Sequence, residues 1–273
     1  MPYVEVADGV RLYVQDIGQG SPVVLVPGFG LDHRVWDRQV RVLAQRHRVL
    51  CVDQRGHGSS DKPIDGYDMD TLAGDLLAVL EQLDVQACTL VGWSFGGQVA
   101  FRAAARDSRR IARLALVGSN GVRASRSAEF PFGRLPDQLE QPAVAAECED
   151  RITSRRGAIL AGFPQAPSDR VVDWLVQIFL SMPSWAAVEC YRTMFRTDLV
   201  GDIPRVTLPV LQIIGAADPV HSSKGARWLA ERLADAELIE IDRCGHYPMI
   251  ECPDEFDAAL VRFAAQPTAS IAG

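Results

Sequence analysis

Short runs of consecutive apolar residues recur along the chain and predict buried strands. Six such runs span residues 22–26, 48–53, 87–92, 114–118, 209–215 and 238–242. Continuous rather than alternating apolarity is typical of strands that are covered on both faces. Near the amino terminus, two alternating stretches, 3–6 and 11–16, flank Ala7-Asp8-Gly9, whose residues favour a turn. The pattern predicts an antiparallel hairpin followed by a mostly parallel sheet.

Segments with helical spacing lie between the apolar runs. Leucines recur at positions 72, 76, 80 and 83, and large apolar residues recur with similar spacing in 228–233 and 256–263. Alternation of strands and helices implies right-handed crossovers, and therefore an α/β fold with helices flanking a mostly parallel sheet. Because such sheets bind ligands at the carboxyl ends of their strands, functional residues are expected there.

Residues 121–204 interrupt this alternation. They contain helical patterns but no strand-like run, and several prolines divide them. We predict that this segment is a helical cap inserted into a core domain formed by residues 1–120 and 205–265. The small-residue segment 266–273 is predicted to be a flexible tail.

Charge and composition narrow the set of partners. The 273 residues include 28 basic and 35 acidic side chains, which give a formal net charge of −7. Nucleic acids and anionic membranes are bound through basic surfaces, so we expect the chain to bind neither. There is no apolar run of about 18 residues, and the first residues lack the pattern of an export leader. We therefore expect a cytoplasmic protein.

The histidines and cysteines show no spacing typical of a metal site. Neither H-x-x-x-H nor C-x-x-C occurs in the sequence. We expect no metal and no cofactor. His33 and His47 are interpreted as ordinary loop or helix-end residues. His221 is interpreted as a residue of a surface loop, with a place at the entrance of the site, close to Asp218, as the alternative.

A glycine-rich turn after the run 87–92 contains a candidate nucleophile. The sequence Gly92-Trp93-Ser94-Phe95-Gly96 leaves a predicted strand and enters a predicted helix. The glycines remove side chains that would collide in so sharp a turn. A G-x-S-x-G motif in this context is typical of a serine nucleophile held at the carboxyl edge of a sheet.

A serine hydroxyl needs a base to take its proton and an acid to orient that base. Two candidates follow other apolar runs and are therefore expected at the same edge of the sheet. Asp218 follows the run 209–215, and His246 follows the run 238–242.

Four motifs resemble the α/β-hydrolase fold family. They are Val26-Pro27-Gly28-Phe29-Gly30, Asp53-Gln54-Arg55-Gly56-His57-Gly58-Ser59-Ser60, the Ser94 turn and Gly245-His246. The resemblance covers essentially the whole chain outside the predicted cap. Within it, residues 66–71, the Ser94 turn and parts of 196–204 further resemble the bacterial cofactor-free haloperoxidase, perhydrolase and arylesterase branch.

The resemblance implies roles for particular residues. His246 stands where the family has its general base and Asp218 where it has its acid, and the order Ser94, Asp218, His246 is the one expected for this fold. The oxyanion hole is expected to consist of the backbone N–H of Phe95, directly after the nucleophile, and, by resemblance, that of Phe29. The commoner family pattern has a histidine where this chain has Pro27, so the loop departs from that pattern.

Large apolar side chains around the turn and in the predicted cap suggest an aromatic pocket of modest size. The predicted substrate-binding residues are Phe29, Trp93, Trp174, Phe179 and Trp185. We expect a serine hydrolase that cleaves small to medium, mainly apolar esters or lactones through an acyl-enzyme. Hydrogen peroxide in place of water would give a peracid, and a homodimer is an expectation from the family.

Three other functions stay open at this point. A C–C bond hydrolase of the same fold is one alternative, and a non-catalytic small-ligand receptor is another. The third is a cofactor-independent dioxygenase-like enzyme. Enzymes of that type carry their acid after an earlier strand, where this chain has Val117-Gly118-Ser119-Asn120 and no carboxylate.

Overall fold

Eight strands form one sheet in the computed structural model, which describes residues 2–266 apart from the side chain of Asp8. The strands are β1 (Tyr3–Glu5), β2 (Arg11–Gly18), β3 (Ser21–Val26), β4 (His47–Val52), β5 (Cys88–Trp93), β6 (Ile111–Val117), β7 (Val210–Gly215) and β8 (Ala236–Ile241). Every apolar run of the sequence corresponds to one of the last six strands. The tail predicted for 266–273 lies, beyond Gln266, outside the described residues.

The order of strands across the sheet is β1-β2-β4-β3-β5-β6-β7-β8. β1 and β2 form the predicted hairpin around a 3-10 turn over Ala7–Gly9, and β2 is also antiparallel to β4. From β4 to β8 the neighbours are parallel. The fold is therefore the predicted α/β type, with the carboxyl ends of β3 to β8 at a common edge.

Helices occupy the connections between the strands. They are α1 (Asp37–Leu43), α2 (Met69–Gln82), α3 (Phe95–Arg106), α4 (Pro136–Glu149), α5 (Arg151–Leu160), α6 (Asp169–Phe179), α7 (Ser184–Arg196), α8 (Ser223–Ala230), α9 (Pro248–Glu251) and α10 (Pro253–Ala264). Side chains satisfy the first backbone N–H groups of some of them. Asp68 accepts from the Thr71 N–H at the start of α2, and Asp150 accepts from Ile152 and Thr153 at the start of α5.

Residues 118–209, called the insertion below, connect β6 to β7. The insertion contains α4 to α7, and no strand occurs in it. It leaves the sheet at β6 and returns at β7, the neighbouring strand, where Leu114 is paired with Val210. The narrower limits of the predicted cap, 121–204, stay a prediction.

The core lies on both faces of the central strands. All residues of β5 and β7 are buried, as continuous apolar strands require when helices cover both faces. Between residues 2 and 266, no single helix is long and apolar enough to cross a membrane. Only α6 and α7 taken together reach that length and composition, and they meet at a bend of 98°.

Candidate active site

Ser94 occupies the turn between β5 and α3. Its backbone has φ +54° and ψ −119°, a conformation that residues other than glycine rarely adopt. The turn is closed by the Ser94 N–H, which donates to the Val117 carbonyl at 2.9 Å. It also requires glycine, since a Cβ on Gly96 would overlap the Pro27 carbonyl oxygen and one on Gly92 would overlap that of Gly96. Backbone strain of this kind concentrates at functional sites.

The three residues at separate strand ends meet in space. His246 Nε2 lies 2.9 Å from Ser94 Oγ, and His246 Nδ1 lies 3.0 Å from Asp218 Oδ2. The other carboxylate oxygen of Asp218 accepts the backbone N–H groups of Val220 (2.7 Å) and His221 (3.0 Å). The carboxylate is thereby held in place while it orients the imidazole ring, and the imidazole faces the serine hydroxyl.

Backbone and side-chain contacts hold the loop that carries His246. The His246 N–H donates to the Gly162 carbonyl in the insertion at 2.9 Å, and Trp93 Nε1 donates to the His246 carbonyl at 2.8 Å. The Glu251 carboxylate accepts the N–H groups of Gly245 and Tyr247, each at 2.9 Å. Strand β5, the insertion and α9 thus all contribute to the position of the imidazole.

The groups around Ser94, His246 and Asp218 favour the ionised form of Asp218. Burial by itself would raise the pKa of Asp218, but the charge of His246, its hydrogen bond and the nearby His221 together lower the pKa below its usual range. Burial raises the pKa of Glu251, against the hydrogen bonds that it accepts. Asp218 is therefore a carboxylate at neutral pH and can balance a proton on His246.

His221 is not the surface residue that the sequence suggested. It is only 3% exposed, lines the cavity above Ser94 and lies with its ring 5.5 Å from that of His246. Burial and the nearby His246 lower the pKa of His221 to about 4. The prediction was wrong because the Asp218 carboxylate accepts the His221 N–H and so holds the loop facing inward. In the sequence, only the spacing of Asp218 and His221 indicates such a turn.

The loop after β3 packs against the serine turn. A Cβ on Gly28 would lie 3.1 Å from that of Ser94. Within residues 2–266, neither the Phe29 nor the Phe95 backbone N–H donates a hydrogen bond to another protein group. Gln54 Nε2 donates to the Pro27 carbonyl of this loop at 2.9 Å.

An apolar cavity of about 390 Å³ opens above Ser94. Three of the predicted substrate-binding residues line it: Phe29, Trp93 and Phe179. Trp174 and Trp185 do not line it, and their part in substrate binding stays a prediction. Trp174 is five residues from Phe179 and therefore projects from another face of α6, and Trp185 is 47% exposed with its Nε1 donating to the Pro63 carbonyl.

Sequence reasoning missed several other residues of this cavity. The insertion contributes Arg134, Leu139, Ile159, Tyr191, Met194 and Phe195. The apolar ones were visible as apolar positions, but their helical spacing does not tell which face of each helix meets the sheet edge. Arg134 reaches the cavity because of the path of the loop that carries it, and no periodic pattern in the sequence predicts that path.

Two further groups bear on the chemistry of the site. After β6, where a dioxygenase-like enzyme would carry its acid, the buried Ser119 donates to the Ser94 carbonyl at 2.8 Å. Asp32, His33 and Asp53 place three possible metal-ligating atoms within 4.8 Å of one another. Those atoms already have partners, because His33 Nδ1 lies 3.0 Å from the Asp53 carboxylate and Arg34 binds Asp32 at 2.6 Å.

Comparisons with known proteins agree with this geometry. The family model described as "Alpha/beta hydrolase family" matches residues 23–259. A non-heme chloroperoxidase of Streptomyces lividans is 31% identical over 96% of this chain and 99% of its own length. An esterase from Exiguobacterium antarcticum superposes with a TM-score of 0.94, at 26% identity over 97% of this chain and 99% of that chain.

The enol-lactonase from Burkholderia xenovorans superposes with a TM-score of 0.85, at 25% identity over 97% of this chain and all of that one. The predicted fold and the resemblance to the haloperoxidase branch are both confirmed by these matches. Since the family model covers most of the chain, including the serine turn and both of its partners, the chain belongs to the alpha/beta hydrolase family.

Proposed function

We propose that this protein is a serine hydrolase that cleaves small to medium, mainly apolar esters or lactones through an acyl-enzyme. The observation that carries the proposal is the continuous series of contacts from Asp218 through His246 to Ser94, beneath an apolar cavity. This combination of nucleophile, base and orienting acid is what acyl transfer requires.

In the first half of the reaction, His246 takes the Ser94 proton while Ser94 Oγ attacks the carbonyl carbon. The carbonyl oxygen becomes an oxyanion, and the N–H groups of Phe29 and Phe95 are the proposed donors to it. Each such donor contributes about 2.7–4 kcal/mol to stabilising the transition state. His246 then gives its proton to the leaving oxygen, the C–O bond breaks and the acyl group stays on Ser94.

In the second half, water attacks the acyl-enzyme while His246 takes one of its protons. The bond between Ser94 Oγ and the acyl carbon breaks, the serine recovers its proton from His246 and the acid leaves. When the substrate is a lactone, the alcohol formed in the first half stays attached to the acyl group. The product is then a single hydroxy acid.

The lining of the cavity supports a mainly apolar substrate. Phe29, Leu31, Phe179 and Met194 surround the space above Ser94, and pockets of this kind favour apolar groups. The names of two structural relatives, an esterase and an enol-lactonase, agree with ester and lactone substrates. A cytoplasmic location and a homodimer stay predictions from the sequence.

Perhydrolysis is the second candidate activity, favoured by the similarity to a non-heme chloroperoxidase. Hydrogen peroxide would attack the acyl-enzyme in place of water, the bond between Ser94 Oγ and the acyl carbon would break, and the acyl group would leave as a peracid. Assays of acetate esters with and without peroxide distinguish the two, because a peracid oxidises halide or a dye and a carboxylic acid does not.

Replacement of Ser94 by alanine tests the proposal. We expect p-nitrophenyl ester turnover by Ser94→Ala to fall by at least about a thousandfold, because the nucleophile is lost, while the melting temperature shows that the protein is folded. Labelling by a fluorophosphonate should be lost as well. Ser108→Ala, at an exposed serine, is the control and should retain both. Retained turnover in folded Ser94→Ala would contradict the mechanism.

A further inference from the structure

Arg134 gives the apolar cavity a positive charge at its outer end. Among the described residues that line the cavity, it is the single arginine, and neither lysine, aspartate nor glutamate is present. Its side chain is exposed, whereas Ser94 is only 7% exposed at the inner end of the same cavity. Leu139, Phe179 and Met194 contribute apolar lining. The cavity is therefore amphipathic, with a reactive inner end, an apolar lining and a cationic mouth.

The charge of Arg134 is not balanced by the part of the chain that the structure describes. Most arginines of this protein form ion pairs, but no carboxylate of residues 2–266 lies within ion-pair distance of Arg134. The nearest carboxylates along α4, Asp137 and Glu140, are both bound by Arg196. Arg134 thus keeps its guanidinium available in a protein whose net charge is −7.

The adjoining stretch of the same loop carries charges of both signs, Arg126 and Glu129, but neither residue lines the cavity. The Arg134 carbonyl accepts the Arg126 N–H at 2.7 Å, so a second arginine lies on the adjoining stretch of the same loop. No carboxylate within the described range pairs with Arg126 either. Since the molecule as a whole repels anions, a cationic mouth is a local property and acts on molecules that enter the cavity.

We propose that Arg134 binds an oxyanion carried by the substrate at the end remote from the scissile ester. The inference rests on the proposed function and specifies its substrate class: esters or lactones in which an apolar chain separates the reacting carbonyl from a carboxylate or phosphate. A guanidinium presents its N–H groups in a planar fork that matches either anion. The apolar lining accommodates the chain while Ser94 reaches the carbonyl.

The expected preference is moderate because Arg134 is exposed. Ion pairs at exposed positions correspond to roughly two- to fivefold in an equilibrium constant at low ionic strength, and salt reduces them. Arg134 therefore changes kcat/KM from one substrate to another, whereas Ser94, Asp218 and His246 carry out the proposed reaction.

Matched methyl esters of dicarboxylic acids test the proposal. One series ends in a carboxylate, and the other ends in a primary amide of nearly the same shape without the charge. We expect the wild-type protein to favour the carboxylate series about two- to fivefold in kcat/KM at low salt, and Arg134→Gln to bring the ratio close to one. A third series that ends in phosphate shows which anion is preferred, and preference for either one over the amide supports the proposal.

Arg126→Gln is the matched control, since Arg126 is on the same loop but does not line the cavity. It should keep the wild-type ratio. A wild-type ratio of one, or an equal loss of both activities in Arg134→Gln, would overturn the proposal while Ser94-dependent hydrolysis of the amide series stands. Calorimetric binding of both series to Ser94→Ala gives the same comparison without turnover, so a failed reaction mechanism does not conceal the result.

Discussion

Individual side chains around Ser94 differ in whether they can hold a proton. The rings of His221 and His246 are 5.5 Å apart and inclined by 25°. Burial disfavours a charge on His221, and two imidazolium ions at that separation would also repel each other. The result is a pKa of about 4 for His221, despite the nearby Asp218 carboxylate that raises it. His221 thus stays neutral at the pH at which, in the proposed mechanism, His246 accepts the serine proton.

The low pKa of His221 predicts acid sensitivity of the fold. The unfolded chain has a histidine pKa near 6.5, so it binds a proton between about pH 6.5 and 4 that the folded protein excludes. The stability contributed by neutral His221 is present above pH 6.5 and falls by about 3 kcal/mol toward pH 4. Urea unfolding at several pH values should show that His221→Asn weakens this dependence.

His33 offers a control of opposite sign. Burial opposes its charged form, but the hydrogen bond and charge of Asp53 prevail and raise the pKa of His33. Its contribution is present below pH 6.5 and is lost as the pH rises through the folded-state pKa. His33→Asn should therefore remove stability mainly at low pH. If His221→Asn gave the same trend as His33→Asn, the assignment of a neutral His221 would be wrong.

At the scale of elements, the site depends on how closely two turns approach. The loop after β3 and the turn before α3 meet at Gly96, where a Cβ would overlap the Pro27 and Val26 carbonyl oxygens. Backbone atoms cannot move aside as a flexible side chain does. The position of the proposed oxyanion donor Phe29 is therefore coupled to the position of Ser94.

Gly96→Ala should separate these two turns. We expect a loss of about 1–3 kcal/mol in the free energy of unfolding, as for overpacked sites. We also expect a larger fractional change in kcat than in KM, because the oxyanion is stabilised only in the transition state. Gly157→Ala in α5 is the control. Among the described residues, and apart from the backbone of its own helix and its chain neighbours, no atom lies within 4 Å of its Cβ position, and alanine favours a helix more than glycine does. Unchanged kcat in Gly96→Ala would show that the turns are not coupled.

A buried ion pair joins two helices of the insertion. Glu147 of α4 and Arg155 of α5 are fully buried and 2.5 Å apart. Arg155 also donates to the Phe179 and Met182 carbonyls, at 2.6 and 2.8 Å, and its guanidinium lies 4.7 Å from the Phe179 ring centre. Since Phe179 lines the cavity and contacts Phe29, this pair supports the cover of the site.

Removal of one member of this pair should be costly. Arg155→Met leaves the buried Glu147 carboxylate without its charged partner, for which a loss of about 3–5 kcal/mol in the free energy of unfolding is expected. A double variant, Glu147→Met with Arg155→Met, should lose less, because no charge is left behind. Arg156→Met, at the next residue, breaks an exposed pair with Asp173 and should change stability little. Equal losses in Arg155→Met and Arg156→Met would contradict this account.

For the whole molecule, most of the architecture was predictable because it repeats. Continuous apolar runs identified the strands from β3 to β8, and leucine spacing identified α2. Burial on both faces of a parallel sheet imposes those patterns, so sequence and structure report the same constraint. The strand-end positions of Ser94, Asp218 and His246 followed from the same periodicity, together with the family resemblance.

The remaining features depend on contacts that the spacing of apolar residues along the chain does not predict. His221 is turned inward by one backbone hydrogen bond, and Trp185 is turned outward at the start of α7. Both residues are apolar or amphipathic, so their type does not show which of them is buried. Only the path of the backbone decides that. Arg134 belongs to the same class, since its importance comes from the carboxylates that are absent from its surroundings within residues 2–266.

β6 and β7 are direct neighbours in the sheet although the whole insertion lies between them in the chain. Residues can accordingly be gained or lost there over evolution without parting those strands. The insertion contacts His246 through the Gly162 carbonyl, which accepts the His246 backbone N–H, and this position requires glycine because a Cβ there would lie 2.5 Å from the Tyr247 ring. The rest of the insertion, and with it the lining of the cavity, can thus change while the contacts among Ser94, Asp218 and His246 are kept.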